Sequence, residues 1–176
     1  MPHRLVLLLI LCLIPVCACA QPADEPPAIS EACAEPAFRA FDFWIGRWVV
    51  RDSTGTQVGT SHISRIAGGC GIREEWAGSS GSRGTSLNYY VAADGAWHQD
   101  WVGSGGLILH LSGGLDSGAM VLTGERFSDE GPVIDRIRWR ALPDGRVRQA
   151  WTMSTDGGAT WRQAFVGFYE AAPGGP

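Results

Sequence analysis

The chain contains no lysine: all fourteen of its lysine-or-arginine cations are arginine, set against eighteen acids for a formal net charge of −4. That balance excludes a surface built for nucleic acid, which needs a basic excess to displace counterions from phosphate. Histidine is scarce, at four, and of five cysteines only Cys33 and Cys70 lie beyond the first twenty residues. After residue 14 no apolar run approaches the roughly twenty residues that a membrane-spanning helix needs, and after residue 44 no helical period outlasts two turns. What is plentiful is glycine, at 24, with ten prolines and eight tryptophans in 176 residues. With 45% hydrophobic and 18% charged residues, the composition excludes a disordered chain and describes one turn-rich globular domain.

His3 and Arg4 precede an apolar run over 5–14, followed by Pro15 and the small residues Ala18, Cys19 and Ala20. Residues 1–20 therefore read as a secretory signal peptide, and the protein as exported, periplasmic or secreted. Two processing routes are open. Ala18-Cys19-Ala20 fits a signal peptidase site that leaves Gln21 first, whereas Val16-Cys17-Ala18-Cys19 resembles a bacterial lipoprotein box that would make Cys19 a lipid anchor. In an exported chain Cys33 and Cys70 are expected to form one disulfide, and two thiols without nearby histidines make no zinc site. Pro22, Pro26, Pro27 and Pro36, with acids between them, mark 21–36 as a tether to a single domain over 37–172.

From Trp44 onward hydrophobicity alternates, punctuated by glycine turns every eight to twelve residues. The expected strands are 44–51, 57–66, 70–77, 84–92, 96–103, 107–112, 118–127, 132–142, 145–153 and 160–170, after a short helical turn over 37–43. Short connections make successive strands antiparallel neighbours, so the expected fold is all-β: an antiparallel up-and-down barrel of about ten strands, which leaves no exposed sheet edge.

Two turns allow faces to be assigned. In Leu142-Pro143-Asp144-Gly145-Arg146 a three-residue loop pairs Leu142 with Arg146, placing Ile137, Trp139 and Ala141 inward with Val147, Gln149 and Trp151. Arg136, Arg138, Arg140, Arg146 and Arg148 share the outer face, with Arg140 opposite Arg148. Reading Ala93-Asp94-Gly95 as the same loop puts Leu87, Tyr89 and Val91 inward with Trp97, Gln99 and Trp101, and Asn88, Tyr90, His98 and Asp100 outward. Alternation adds Ile72, Glu74 and Trp76, then Trp161, Gln163 and Phe165. The expected inner surface is thus aromatic, interleaved with Glu74, Gln99, Gln149 and Gln163, whose polar atoms need partners from each other, water or a ligand.

Phe41-Asp42-Phe43-Trp44-Ile45-Gly46-Arg47-Trp48 is the most distinctive stretch. Its Gly46-Arg47-Trp48 resembles the G-x-W that opens the first strand of lipocalin-like barrels, where a helical turn precedes the strand and the tryptophan closes the barrel bottom. The wider pattern continues through Gly69-Cys70, Glu74, Trp76, Ser86-Leu87-Asn88-Tyr89-Tyr90, Trp97-His98-Gln99, Trp101, Arg148-Gln149 and Asp156-Gly157-Gly158 with Thr160-Trp161. It resembles a family of secreted bacterial proteins known only as a domain of unknown function, which implies the fold and no activity. Ser154 to Trp161 also looks like the Asp-box of sialidases and other propellers, but it occurs once, so it reads as a hairpin turn with Asp156 capping amides and Trp161 inward.

His62, His98 and His110 lack metal-ligand spacing, so no metal is expected. Haem-binding barrels that resemble the chain in G-x-W carry a late proximal histidine, yet none follows His110, and no cofactor is expected. Three readings follow. The first is a lumen binding a small apolar or aromatic molecule through Glu74, Trp76, Tyr89, Trp97, Gln99, Trp101, Trp139, Gln149, Trp151 and Gln163. Against it stands a core filled solid by tryptophan. The second is an envelope scaffold that docks a partner through the arginine face. The third is an enzyme using Glu74 on a lumen-bound substrate, although only that one carboxylate reaches the inner face in this register and no catalytic constellation is recognisable.

Overall fold

The computed structural model describes residues 29–174, so the expectations for residues 1–20, Cys19 and the start of the tether lie outside the described residues. Ten strands follow one another: β1 Gly46–Arg51, β2 Gln57–Ile66, β3 Gly71–Gly78, β4 Arg83–Val91, β5 Ala96–Gly103, β6 Ile108–Asp116, β7 Ala119–Ser128, β8 Gly131–Ala141, β9 Val147–Ser154 and β10 Arg162–Ala171. Each pairs antiparallel with its chain neighbour, and β1 also pairs with β10, Trp48 opposite Ala171, so the sheet closes into an up-and-down barrel. An eight-stranded barrel is just wide enough for its side chains or one small ligand, and diameter grows with strand number. Ten strands leave more room than eight.

One end is plugged. Helix α1, Pro36–Arg39, has proline in its first turn, where a missing N–H costs nothing, and a 3-10 turn follows at Asp42–Trp44. Phe41 and Trp44, both fully buried, stack at 4.9 Å and meet lumen-facing rings from three strands. Phe41 lies 5.7 Å from Trp97 and 5.2 Å from Trp139, and Trp44 lies 6.1 Å from Tyr169. The indoles of Trp97 and Trp48 donate to the carbonyls of Ala37 and Trp44, at 3.0 and 2.9 Å. Arg65 holds Asp42 at 2.8 Å, and Arg39 donates to the Gly69 carbonyl. The Cys33–Cys70 disulfide closes the same corner, and Ser30 N–H donates to Gly68. The chain is therefore fastened to the barrel from Ser30 on, within the stretch expected to be a tether.

Strand bounds match expectation within a few residues, except in β6, expected to stop at 112. It runs on through Gly113-Gly114 to Asp116, and the turn is the Ser117-Gly118 pair, both with positive φ. That is the two-residue hairpin whose twist suits antiparallel strands.

Candidate functional site

The β8–β9 register is as expected: Leu142 N–H donates to Arg146, Gly145 takes a left-handed φ of 84°, and Trp139 pairs with Gln149 and Ile137 with Trp151. These residues, with Glu74 and Trp76 from β3 and Gln99 and Trp101 from β5, converge on one cavity of about 510 Å³. Its floor, above the plug, holds Trp139, Gln149 and Tyr169. Its mouth is rimmed by the β3–β4 and β5–β6 loops, including Ser80, Ser82, Ser104 and Gly105, with Arg83 at the start of β4. Phe165, Val58, Leu107, Leu109 and Ile137 complete the wall. The lumen is open, and tryptophan does not fill it.

Glu74, Trp76, Gln99, Trp101, Trp139, Gln149 and Trp151 line that cavity, whereas Tyr89, Trp97 and Gln163 do not. Tyr89 faces outward because the β4–β5 loop holds four residues rather than three: Val91 pairs with Ala96, and Gly95 N–H donates to Val91. One extra loop residue reverses every side chain of the strand. Leu87 is accordingly exposed, Tyr89 stacks on His98 and donates to Asp100 outside, and Asn88 and Tyr90 turn inward. Trp97 does face inward, but at the plugged end, buried against Phe41 and below the cavity. Gln163 is turned out by a bulge at Ala164: it pairs with Thr152 on the outer face, and Phe165 then pairs with Trp151 inside. Trp161 lies outside too, before the bulge, with the Arg136 guanidinium 3.8 Å from its ring.

With Asn88 turned inward, β3, β4 and β5 share a polar network. Glu74, 5% exposed, accepts hydrogen bonds from Ser61 at 2.9 Å and Ser86 at 3.1 Å. Asn88, fully buried, donates to Ser86 at 2.9 Å, and Gln99 donates to Asn88 at 2.7 Å. Burial pushes the Glu74 carboxyl up to about 7 against the pull of the two serine hydroxyls. Tyr169 donates to Gln149, and burial followed by the charge of Glu74 holds its hydroxyl well above the usual phenol range.

A second lumen carboxylate corrects the expectation of one. Asp135, 1% exposed, accepts from Arg126 and from the Trp151 indole, each at 2.7 Å. Its spacing from Ile137 and Trp139 already placed it inward, two and four residues along the same strand. Because Arg126 and Trp151 both use it, Asp135 is a strut for the cavity wall and leaves Glu74 without a free acid partner.

On the outer surface the arginine ladder stands as expected, Arg140 opposite Arg148, but much of its charge is engaged. Arg138 meets Asp116 at 3.1 Å, Arg146 meets Asp144 at 2.8 Å, and Arg140 donates to the Ser117 carbonyl. The Ser154–Trp161 turn is capped by Asp156, whose carboxyl the Thr160 hydroxyl and amide hold down at about 2.

No family model matches the chain, and no curated protein is significantly similar to it. The fold and the cavity therefore carry the functional argument alone.

Proposed function

We propose that this protein is an exported lipocalin-like barrel that binds one small apolar or aromatic molecule in its lumen. The observation that carries the reading is the cavity: about 510 Å³, blocked at one end by the aromatic plug and walled by Trp76, Trp101, Trp151 and Phe165 above a polar floor. Ligand sites in proteins occupy roughly 300 to 1,000 Å³ and pair apolar walls with a few fixed polar groups. The amides of Gln99 and Gln149 are each anchored through one atom, to Asn88 and Tyr169, which orients the other atom for a ligand. Export is inferred from the leader pattern over 1–20 and from the Cys33–Cys70 disulfide, a bond that persists in oxidising compartments.

A neutral solvatochromic dye such as Nile red tests the reading. One equivalent is expected to bind, with blue-shifted emission. Ala164→Trp grows a side chain from an exposed position into the mouth and should weaken binding about tenfold or more while leaving the melting temperature nearly unchanged. Stoichiometric binding that ignores this substitution would place the dye elsewhere and end the lumen reading.

A further inference from the structure

The lumen holds two buried carboxylates with opposite surroundings. Asp135 has its countercharge in Arg126, 2.7 Å away. Glu74 has none among the described residues. From β2 and β4 it meets serine hydroxyls, and the titratable group facing it from β10 is the Tyr169 phenol, itself an acid. Arg126 is held on Asp135, and Arg83, at the mouth, donates to the carbonyls of Ser82 and Gly78. A buried carboxylate without a cation is costly unless it is protonated or a cation is supplied. The groups that share the cavity with Glu74 suit the second option. Indole faces attract cations, and Trp76, Trp101 and Trp151 line the same cavity as the carboxylate.

Resting on the lumen-binding reading, we infer that the cognate ligand is an organic cation, an amine or ammonium carried on an apolar body, whose charged end is seated against Glu74 within the indole walls. Each Glu74 oxygen accepts one serine hydroxyl and keeps a lone-pair direction for the ligand. The cation supplies the missing countercharge, so binding draws the proton from Glu74 when the pH is near neutral. The carboxyl, pushed up to about 7 by burial, makes affinity rise with pH through that value.

The test uses a permanent cation and its neutral carbon isostere, benzyltrimethylammonium and neopentylbenzene, as competitors for bound Nile red on the disulfide-intact protein. At about pH 8.5 the cation is expected to bind about tenfold or more tightly than the isostere, and the advantage should vanish by about pH 5.5, where Glu74 is protonated. Glu74→Gln should abolish the advantage at every pH. The wild-type pH series reads the same quantity without any substitution, so it decides the matter if that variant does not fold. Equal or tighter binding of the neutral compound at high pH overturns the cation inference and leaves the lumen reading standing. Displacement of the dye by neither compound also overturns it. Failure of Nile red itself to bind removes the lumen reading, and the cation inference with it.

Discussion

Glu74 is the residue on which most of the chemistry turns, and its effect on stability has a definite sign. Its carboxyl titrates at about 7 in the fold against an ordinary 4.5, because burial disfavours the charge. The folded state therefore holds the proton more tightly than the unfolded chain. The contribution is fully present below about 4.5, is lost as pH rises through the window up to about 7, and is level above it, a change of about 3 kcal/mol. Glu74→Gln lacks this titration. Its melting temperature relative to wild type should climb between about pH 5 and pH 8, by roughly 6 °C or more for a domain of this size. A constant difference across that range would mean that Glu74 is hydrated and ordinary. The sequence already placed Glu74 among inward aromatics. It hid the residues that buffer Glu74, because Ser61, Ser86 and Asn88 are small polar types that sit equally well on an outer face.

At the scale of the strand, the cavity wall rests on glycines beneath aromatic rings. A Cβ on Gly84 of β4 would come within 2.2 Å of the Trp101 ring on β5, and one on Gly59 of β2 within 2.5 Å of the Trp76 ring on β3. Part of the glycine excess is thus space for pocket walls, whereas composition alone points mainly to turns. Gly84→Ala should tip Trp101 into the mouth, costing about 1 to 3 kcal/mol of stability by overpacking and about tenfold in Nile red affinity. Undiminished affinity in a folded variant would show that the ring is not seated on that glycine. Strand existence and order were legible because alternation and turn residues agree from Trp44 to Ala171. Faces were legible only where the loop length was. Pro143 and Gly145 determine the β8–β9 loop, so Trp139, Gln149 and Trp151 were placed inside. Ala92-Ala93-Asp94-Gly95 carries no such marker for its first residue, so the pattern alone points the faces of β4 the wrong way. The bulge at Ala164 left no local signal, and Gln163 was misplaced with it.

For the whole molecule, an open lumen depends on its plug. The Cys33–Cys70 bond spans 37 residues of sequence and ties the segment before α1 to the corner between β2 and β3. On the chain-entropy account a loop of that length stabilises by about 4 kcal/mol. Cys33→Ser with Cys70→Ser should therefore lower the melting temperature by roughly 10 °C. It should also loosen the floor beneath Trp139, seen as faster amide exchange at Trp44 and Trp97, while the β3–β4 region holds. Uniform loss of protection around the barrel would contradict that division. Closure itself was readable from ten strands in simple succession, but whether eight tryptophans filled the barrel or walled it was not. That outcome depends on which of them the plug takes: Trp44, Trp48 and Trp97 pack there, Trp161 lies outside, and Trp76, Trp101, Trp139 and Trp151 are left around the space. The most direct test of the hollow, ligand-binding barrel is native mass spectrometry of the protein purified from its own cells. A reproducible one-to-one non-covalent adduct, lost on denaturation and absent from the Ala164→Trp variant, is the result expected. A clean unliganded mass, in a preparation that also fails to take up Nile red, would contradict the account.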